Sequence, residues 1–112
     1  MSTNQEYLID TEDYRGKRVI FTETKRLEKS AQHAELNNKQ FLKNIEATIK
    51  EPEEVWPDYD DKNRKACYYK KYSANTYIKV VIWISSDPCQ VVTAYETNKV
   101  KEILYSELNR LK

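Results

Sequence analysis

The sequence contains little glycine, cysteine or histidine, and each shortage excludes a class of protein. Of 112 residues, one is glycine, two are cysteine and one is histidine. A collagen-like repeat, a disulfide scaffold and a glycine-rich phosphate loop are therefore excluded. A zinc site needs three or four protein ligands, and the two cysteines lack the C-x-x-C spacing of such sites. We therefore expect no metal and no cofactor.

Long apolar runs are also missing. The longest, from Val80 to Ile84, is far shorter than the roughly 20 residues that a membrane-spanning helix needs. The first twenty residues lack the apolar core of a secretion signal. The sequence therefore predicts a small, soluble, cytoplasmic domain that does not bind a membrane. In that setting Cys67 and Cys89 are expected to be reduced and buried, although a disulfide between them stays open.

Charge is balanced in total but not along the chain. There are 19 Lys and Arg residues against 18 Asp and Glu residues. Residues 51–61 carry six acids and no base, whereas residues 62–82 carry six bases, interleaved with tyrosines, and no acid. Lysine neutralises phosphate and tyrosine stacks on nucleobases, so this segment favours contact with a polyanion. The solvated face of a tyrosine-rich sheet has the same composition, and this alternative stays open.

The first half of the chain predicts helices. Residues 1–17 are polar and aperiodic, which predicts a weakly structured N-terminal arm before a single domain over residues 18–112. Residues 18–22 form a short β-type run, after which a helix capped by Thr22 is expected to reach about Leu36. A second helix, capped by an asparagine, is predicted up to about Lys50. Its apolar side chains recur at spacings of three and four: Phe41, Leu42, Ile45 and Ile49.

The second half predicts strands. They are expected at residues 54–58, 65–73, 77–85 and 89–96, joined by short turns that make neighbouring strands antiparallel. The run at 77–85 is apolar on both faces, which indicates a central strand. A closing helix is expected from Asn98 to about Leu111. The order predicts an α+β fold, in which two N-terminal helices pack on a four-stranded antiparallel sheet that a C-terminal helix follows.

Two small groups of residues have side chains suited to chemistry. His33 is the single histidine, the residue type most used for proton transfer near neutral pH. An ordinary helical surface histidine is the alternative. Thr93 and Tyr95 are two apart on a strand and therefore share a face, whereas Val92 and Ala94 are expected to face the helices. Thr and Tyr are also simply good strand formers, so this pair leaves both interpretations open.

The order of these motifs resembles the phage-type branch of the barnase–EndoU–colicin–RelE nucleases. The chain has His33-Ala-Glu where that family has a His-Pro-Glu-like motif, with Ala34 in place of the usual proline. An I-x-x-P-x-x-V helix end follows at residues 49–55, then a Y-Y-K strand at residues 68–70. The last motif, V-V-T-A-Y, lies at residues 91–95. The resemblance covers residues 18–100.

This resemblance implies an α+β fold whose concave sheet face cleaves RNA without a metal, often in a toxin or a phage-associated effector. The implied catalytic residues are His33, Lys70, Lys71, Thr93 and Tyr95. The candidate RNA-binding residues are Arg64, Lys65, Tyr69 and Lys79. The RNA could be a tRNA or an mRNA, and a cognate antitoxin or immunity protein is the expected protein partner.

A second hypothesis is a non-catalytic module on the same fold, which binds RNA or a protein through the basic, tyrosine-rich face. Barnase- and EndoU-like sites often use two acid/base groups, and this chain has one histidine. A third hypothesis is an accessory protein of a phage or mobile element, with a capsid or antitoxin component as its partner.

Overall fold

The computed structural model describes residues 6–98 and 110–112. In this part of the chain, two α-helices and a short 3-10 helix accompany a six-stranded mixed sheet. The strands are β1 (Tyr7–Glu12), β2 (Arg18–Thr22), β3 (Glu54–Pro57), β4 (Lys65–Ser73), β5 (Thr76–Trp83) and β6 (Cys89–Thr97). The helices are α1 (Glu23–Ser30), a 3-10 helix (Ala34–Asn37) and α2 (Lys39–Lys50). None of these helices is long and apolar enough to cross a membrane.

The α+β class is confirmed, but the prediction of four antiparallel strands was wrong. The sheet order is β1-β2-β6-β5-β4-β3, and β2 pairs with β6 in parallel, whereas the other neighbours are antiparallel. The extra strands come from the N-terminal part of the chain. There, Val19 and Phe21 of β2 are fully buried, which makes this strand part of the sheet rather than an entry to it.

The prediction of a weakly structured arm over residues 1–17 was wrong for β1. This strand hydrogen-bonds along β2 and buries one of its side chains, Ile9. The polar composition that suggested an arm is that of an edge strand, which exposes most of its side chains to water.

A buried carboxylate, Asp13, closes the turn between β1 and β2. One of its oxygens accepts hydrogen bonds from the backbone amides of Arg15 and Lys17, at 2.9 and 3.0 Å. The other accepts from the Arg15 guanidinium at 2.9 Å and from the Tyr68 hydroxyl at 2.7 Å. Burial raises the pKa of Asp13, but these hydrogen bonds lower it by a larger amount. The net pKa therefore lies below its usual value. The carboxylate therefore ties the turn to β4.

The helix caps lie at the residues that the sequence predicts, but α1 ends earlier than predicted. The Thr22 hydroxyl accepts the Lys25 amide, and the Asn38 side chain accepts the amides of Gln40 and Phe41. Helix α2 ends at Lys50 as predicted. Helix α1 ends at Ser30, so the prediction that it reaches about Leu36 was wrong.

Strands β3, β4, β5 and β6 lie where they were predicted, to within two residues at each end, and β5 occupies the central position expected of it. The predicted C-terminal helix lies mostly outside the described residues. At its predicted end, the backbone of Leu111 donates to the Val55 carbonyl at 2.8 Å. Residues 110–112 therefore lie alongside β3 and are not helical.

The two faces of the sheet differ in composition. One face packs against α2 and the 3-10 helix, with Leu36, Ile45 and Ile49 fully buried against β-strand residues. The opposite face, against which neither α2 nor the 3-10 helix packs and which is called the open face, has its own smaller cluster of buried side chains, Cys67, Tyr69 and Val81. Cys67 and Cys89 are both buried, on opposite faces, and both are thiols, so the alternative of a disulfide between them is excluded.

A β-bulge in β6 decides which side chains reach the open face. Val81 pairs with Thr93 and the next residue, Ile82, pairs with Val91, so the ladder skips Val92. Ala94 packs into the helix-side core as predicted. The prediction that Val92 faces the helices was wrong, because the bulge turns it onto the cluster of the open face.

Candidate active site

The histidine lies over the strand that carries the Thr-Ala-Tyr motif. The His33 imidazole stacks on the Tyr95 ring, with 4.5 Å between ring centroids and 13° between ring planes. His33 is half-buried in this position. The structure therefore brings together two of the predicted catalytic residues that are 62 positions apart in the chain.

The turn after α1 fixes the position of His33. The amides of Gln32 and His33 both donate to the Lys29 carbonyl, at 3.1 and 3.0 Å, and this ends the helix. The 3-10 helix then starts at Ala34 and is anchored by Leu36, which is fully buried. Its Glu35 carboxylate accepts the Glu96 amide of β6 at 3.3 Å. His33 is thus held from both sides of the turn, next to the strand on which its ring lies.

Ala34, which replaces the usual proline of the resembled motif, is the first residue of the 3-10 helix. The first helical position accommodates proline readily, because its N–H has no partner within the helix. Alanine and proline are therefore compatible with the same turn, and the replacement does not move the histidine off the site.

Lys79 lies beside this stacked pair. In the sheet it pairs with Tyr69 on one side and with Tyr95 on the other. Its ammonium nitrogen is 5.4 Å from the centroid of the Tyr95 ring and 5.8 Å from that of the Tyr69 ring. Lys79 forms no ion pair with any other described residue.

The protein holds Lys79 in its charged form. Burial by itself lowers the pKa of this lysine, but the Cys67 side chain, a hydrogen bond with Tyr95 and the Tyr69 ring raise it. The net result is a pKa well above the ordinary value. A permanently charged, half-buried ammonium is suited to binding and stabilising an anion rather than to transferring protons.

Thr93 provides a hydroxyl on the same face. Because Thr93 pairs with Val81 and Tyr95 pairs with Lys79, the two residues lie on one side of β6, as predicted from their spacing. The Thr93 hydroxyl oxygen is buried and has no hydrogen-bond partner among the described residues. Since buried polar atoms nearly always have a partner, this hydroxyl marks a polar position that the described residues leave unsatisfied.

The two lysines of the Y-Y-K strand point to different faces. Lys70 pairs with Ile78, a core residue, and its ammonium donates to the Glu51 carbonyl at 2.9 Å on the helix side of the sheet. Lys71 pairs with Tyr77 and by register shares the open face with Lys79, at the exposed end of β4. The candidate site thus includes Lys79 and, at its margin, Lys71, but not Lys70.

The remaining RNA-binding candidates, Arg64 and Lys65, gather around an aromatic residue that the sequence interpretation did not select. The Arg64 guanidinium carbon and the Lys65 ammonium lie 5.8 and 5.9 Å from the ring centroid of Trp83. Lys79, Val81 and Trp83 occupy every second position of β5 and therefore share a face. This period of two is the sequence signal by which Trp83 could have been selected.

The open face can therefore perform acid–base chemistry next to a fixed positive charge. It offers an imidazole, an ammonium, a buried hydroxyl and aromatic rings within one short stretch of sheet. Within the described part of the chain, no three His, Cys, Asp or Glu side chains are grouped so that they could hold a metal ion.

Comparison with known proteins gives one result. The family model described as phage-Barnase-EndoU-ColicinE5/D-RelE like nuclease2 matches residues 3–111. Searches of curated proteins and of solved structures give no match. The family match spans nearly the whole chain and includes β1, which the motif resemblance did not cover. The chain therefore belongs to the phage-type barnase–EndoU–colicin–RelE-like nuclease family.

Proposed function

We propose that this nuclease is a metal-independent endoribonuclease that uses the 2′-hydroxyl of its RNA substrate as the nucleophile. The observation that carries the proposal is the grouping of His33, Lys79 and the Thr93 hydroxyl around Tyr95 on the open face. RNA contains its own nucleophile, so the enzyme needs groups that move protons and stabilise charge. These side chains supply such groups.

His33 is the acid–base group in this proposal. As a base it takes the proton from the 2′-hydroxyl, whose oxygen then attacks the neighbouring phosphorus. The bond to the 5′-oxygen breaks, and that oxygen takes a proton from a water molecule. Positioned acid–base groups of this kind accelerate reactions by about 10² to 10⁴. The flat stack on Tyr95 holds the imidazole plane in one orientation and leaves its edge nitrogens for hydrogen bonding.

Lys79 and Thr93 stabilise the charge that develops on the phosphate. The fixed ammonium faces the extra negative charge of the pentavalent intermediate, and the Thr93 hydroxyl donates to a non-bridging oxygen. Tyr95 orients His33 by stacking on its imidazole, and its ring centroid lies 5.4 Å from the Lys79 ammonium. The products are a 2′,3′-cyclic phosphate and a 5′-hydroxyl. In this proposal Lys79 takes the place of Lys70 and Lys71 as the catalytic lysine, and Lys71 contacts the RNA backbone.

The test is cleavage of total RNA and of a labelled tRNA pool in EDTA by the wild-type protein and by His33→Ala. Wild-type cleavage that the variant loses, with RNA affinity retained, supports the proposal. Cleavage that EDTA abolishes contradicts the metal-independent mechanism. Equal cleavage by both proteins excludes His33 from the chemistry.

The alternative of a non-catalytic RNA-binding module is favoured by the single histidine, since no second imidazole is available to protonate the leaving group. It predicts binding without cleavage by both proteins in the same experiment.

We also propose that the nuclease acts as a toxin in the cytoplasm and that a cognate antitoxin or immunity protein neutralises it. Expression of the wild-type chain should then arrest bacterial growth, whereas His33→Ala at the same expression level should not. Normal growth with both chains at high soluble yield would contradict toxicity.

A further inference from the structure

The open face continues beyond the candidate active site to an exposed indole. Trp83 is 39% exposed although large aromatic side chains are usually buried. It follows Lys79 and Val81 on the same side of β5, and across the sheet it pairs with Lys65 and Gln90. Trp83 is four positions further along the strand than Lys79, which corresponds to about 13 Å.

The indole is fixed in place and surrounded by positive charge. Its ring N–H donates to the Ser85 hydroxyl at 2.6 Å, which holds the ring plane. The Arg64 and Lys65 cations lie 5.8 and 5.9 Å from the ring centroid. Arg64 is also paired with Asp61 at 3.0 Å, whereas no recorded ion pair in the described residues involves Lys65.

We propose that Trp83 is a stacking platform for a nucleobase of the RNA strand outside the scissile position, with Lys65 and Arg64 on the adjacent phosphate. Aromatic side chains beside cations are the usual means by which proteins hold single-stranded nucleic acid. A stacked strand advances about 3.4 Å per nucleotide, so about four nucleotides cover the distance from Lys79 to Trp83, and an extended strand needs fewer.

This platform recognises a base by its face and not by its edge. Its single N–H already donates to Ser85, so no donor of the indole remains to read base edges. The subsite therefore accepts any base, and it extends the substrate from a single scissile linkage to a short single strand. The inference rests on the proposed ribonuclease activity.

The test compares kcat/KM on an eight-nucleotide RNA and on a dinucleotide for the wild-type protein, Trp83→Ala and Trp83→Phe. Trp83→Ala should lower kcat/KM about tenfold on the longer strand and less than twofold on the dinucleotide, which is too short to reach the platform. Trp83→Phe should recover most of the loss. Tyr72→Ala is the matched control, since Tyr72 is an exposed aromatic on β4 near the other end of the sheet.

An equal loss on both substrates, or no loss on either, would overturn the inference and leave the nuclease activity in place. Binding of a 2′-O-methyl eight-nucleotide strand, which cannot be cleaved, separates the two claims. If the wild-type protein binds this strand but cleaves no RNA, the proposed function fails. In that case, tenfold weaker binding of the strand by Trp83→Ala would still support the platform. If the wild-type protein does not bind it, the platform is wrong.

Discussion

Lys79 lies at the centre of the candidate site and pairs with a tyrosine on each of the two neighbouring strands. Tyr69 and Tyr95 enclose its ammonium, and the surroundings raise its pKa despite burial. An anion bound here would meet a charge that is already desolvated and already oriented, which makes the interaction stronger than it would be in water. In the proposed mechanism, charge stabilisation therefore depends on Lys79.

Replacement of Lys79 tests this role. Lys79→Met should reduce kcat by about 10² to 10³, the loss typical of removing one preorganised charge-stabilising group. Lys70→Met should reduce it less than about threefold, because Lys70 donates to Glu51 on the other face. Steady-state cleavage of a labelled RNA measures both, with thermal unfolding as the control for folding. A larger loss for Lys70→Met than for Lys79→Met would contradict the assignment.

At the turn between β1 and β2, Asp13 is the residue on which we expect the stability of the fold to depend most. Asp13→Asn keeps the shape of the side chain but removes the charge that the Tyr68 hydroxyl and Arg15 contact. We expect it to lower the free energy of unfolding by about 3 kcal/mol at neutral pH, since it leaves buried groups poorly paired. Urea denaturation monitored by tryptophan fluorescence measures this.

The same substitution has a defined pH dependence. Asp13 has a lowered pKa in the folded state, so its contribution is complete above its unfolded-state pKa of about 3.9. It is lost as pH falls through the still lower folded-state pKa. The difference in unfolding free energy between wild type and Asp13→Asn should therefore shrink at low pH. A difference that grows with acidification would contradict this account of Asp13.

At the scale of elements, the strongly periodic segments could be predicted from sequence and the polar ones could not. Helix α2 has a continuous apolar stripe and an asparagine cap, and β5 is apolar on both faces, so local pattern and tertiary role agree there. Strand β1 buries one side chain, and its place at the edge of the sheet depends on pairing with β2, which no local pattern contains.

The candidate site also has a part that could be predicted from the sequence and a part that could not. The spacing of Thr93 and Tyr95 was enough to place them on one face, because a strand has a period of two. The faces of Lys70 and Lys71 could not be assigned, because they depend on the register of β4 against β5. The stack of His33 on Tyr95 also depends on tertiary packing, since it joins a turn to a strand far along the chain.

Shortening the chain tests whether β1 is part of the domain. A chain that begins at Asp13 retains the buried carboxylate but lacks β1 and therefore the buried Ile9. We expect it to lose at least about 2 kcal/mol of unfolding free energy, the value of burying one such side chain. A chain that begins at Glu6 is the control. Equal stability of the two chains would show that β1 contributes nothing to the fold.

At the scale of the whole molecule, acidic side chains neutralise some of the nearby bases and leave others for a ligand. In and after β3, Glu54 lies 3.8 Å from Arg110, and Asp61 pairs with Arg64 at 3.0 Å. Lys65 and Lys79, on the open face, have no such recorded partner among the described residues. The near-zero net charge is therefore compatible with a local polyanion site.

This distribution predicts a shallow salt dependence of RNA binding. Each phosphate contacted on a single strand contributes about −0.7 to the slope of log K against log salt. With one phosphate at Lys79, one at Lys71 and one at the pair of Lys65 and Arg64, the slope should be about −2.1, and Lys79→Met should reduce its magnitude by about 0.7. Fluorescence anisotropy with a non-cleavable strand measures the slope. A slope of about −4 or steeper would require a much wider basic surface than the open face provides.

The most direct test of the account is the chemistry of the ends that the protein leaves on RNA. A defined oligonucleotide is incubated with the wild-type protein in EDTA, and the products are weighed by mass spectrometry. Attack by the 2′-hydroxyl predicts a 2′,3′-cyclic phosphate on one fragment and a 5′-hydroxyl on the other, with no such products from His33→Ala. A 3′-hydroxyl opposite a 5′-phosphate would show that water is the nucleophile and would contradict the mechanism built on His33, Lys79 and Thr93.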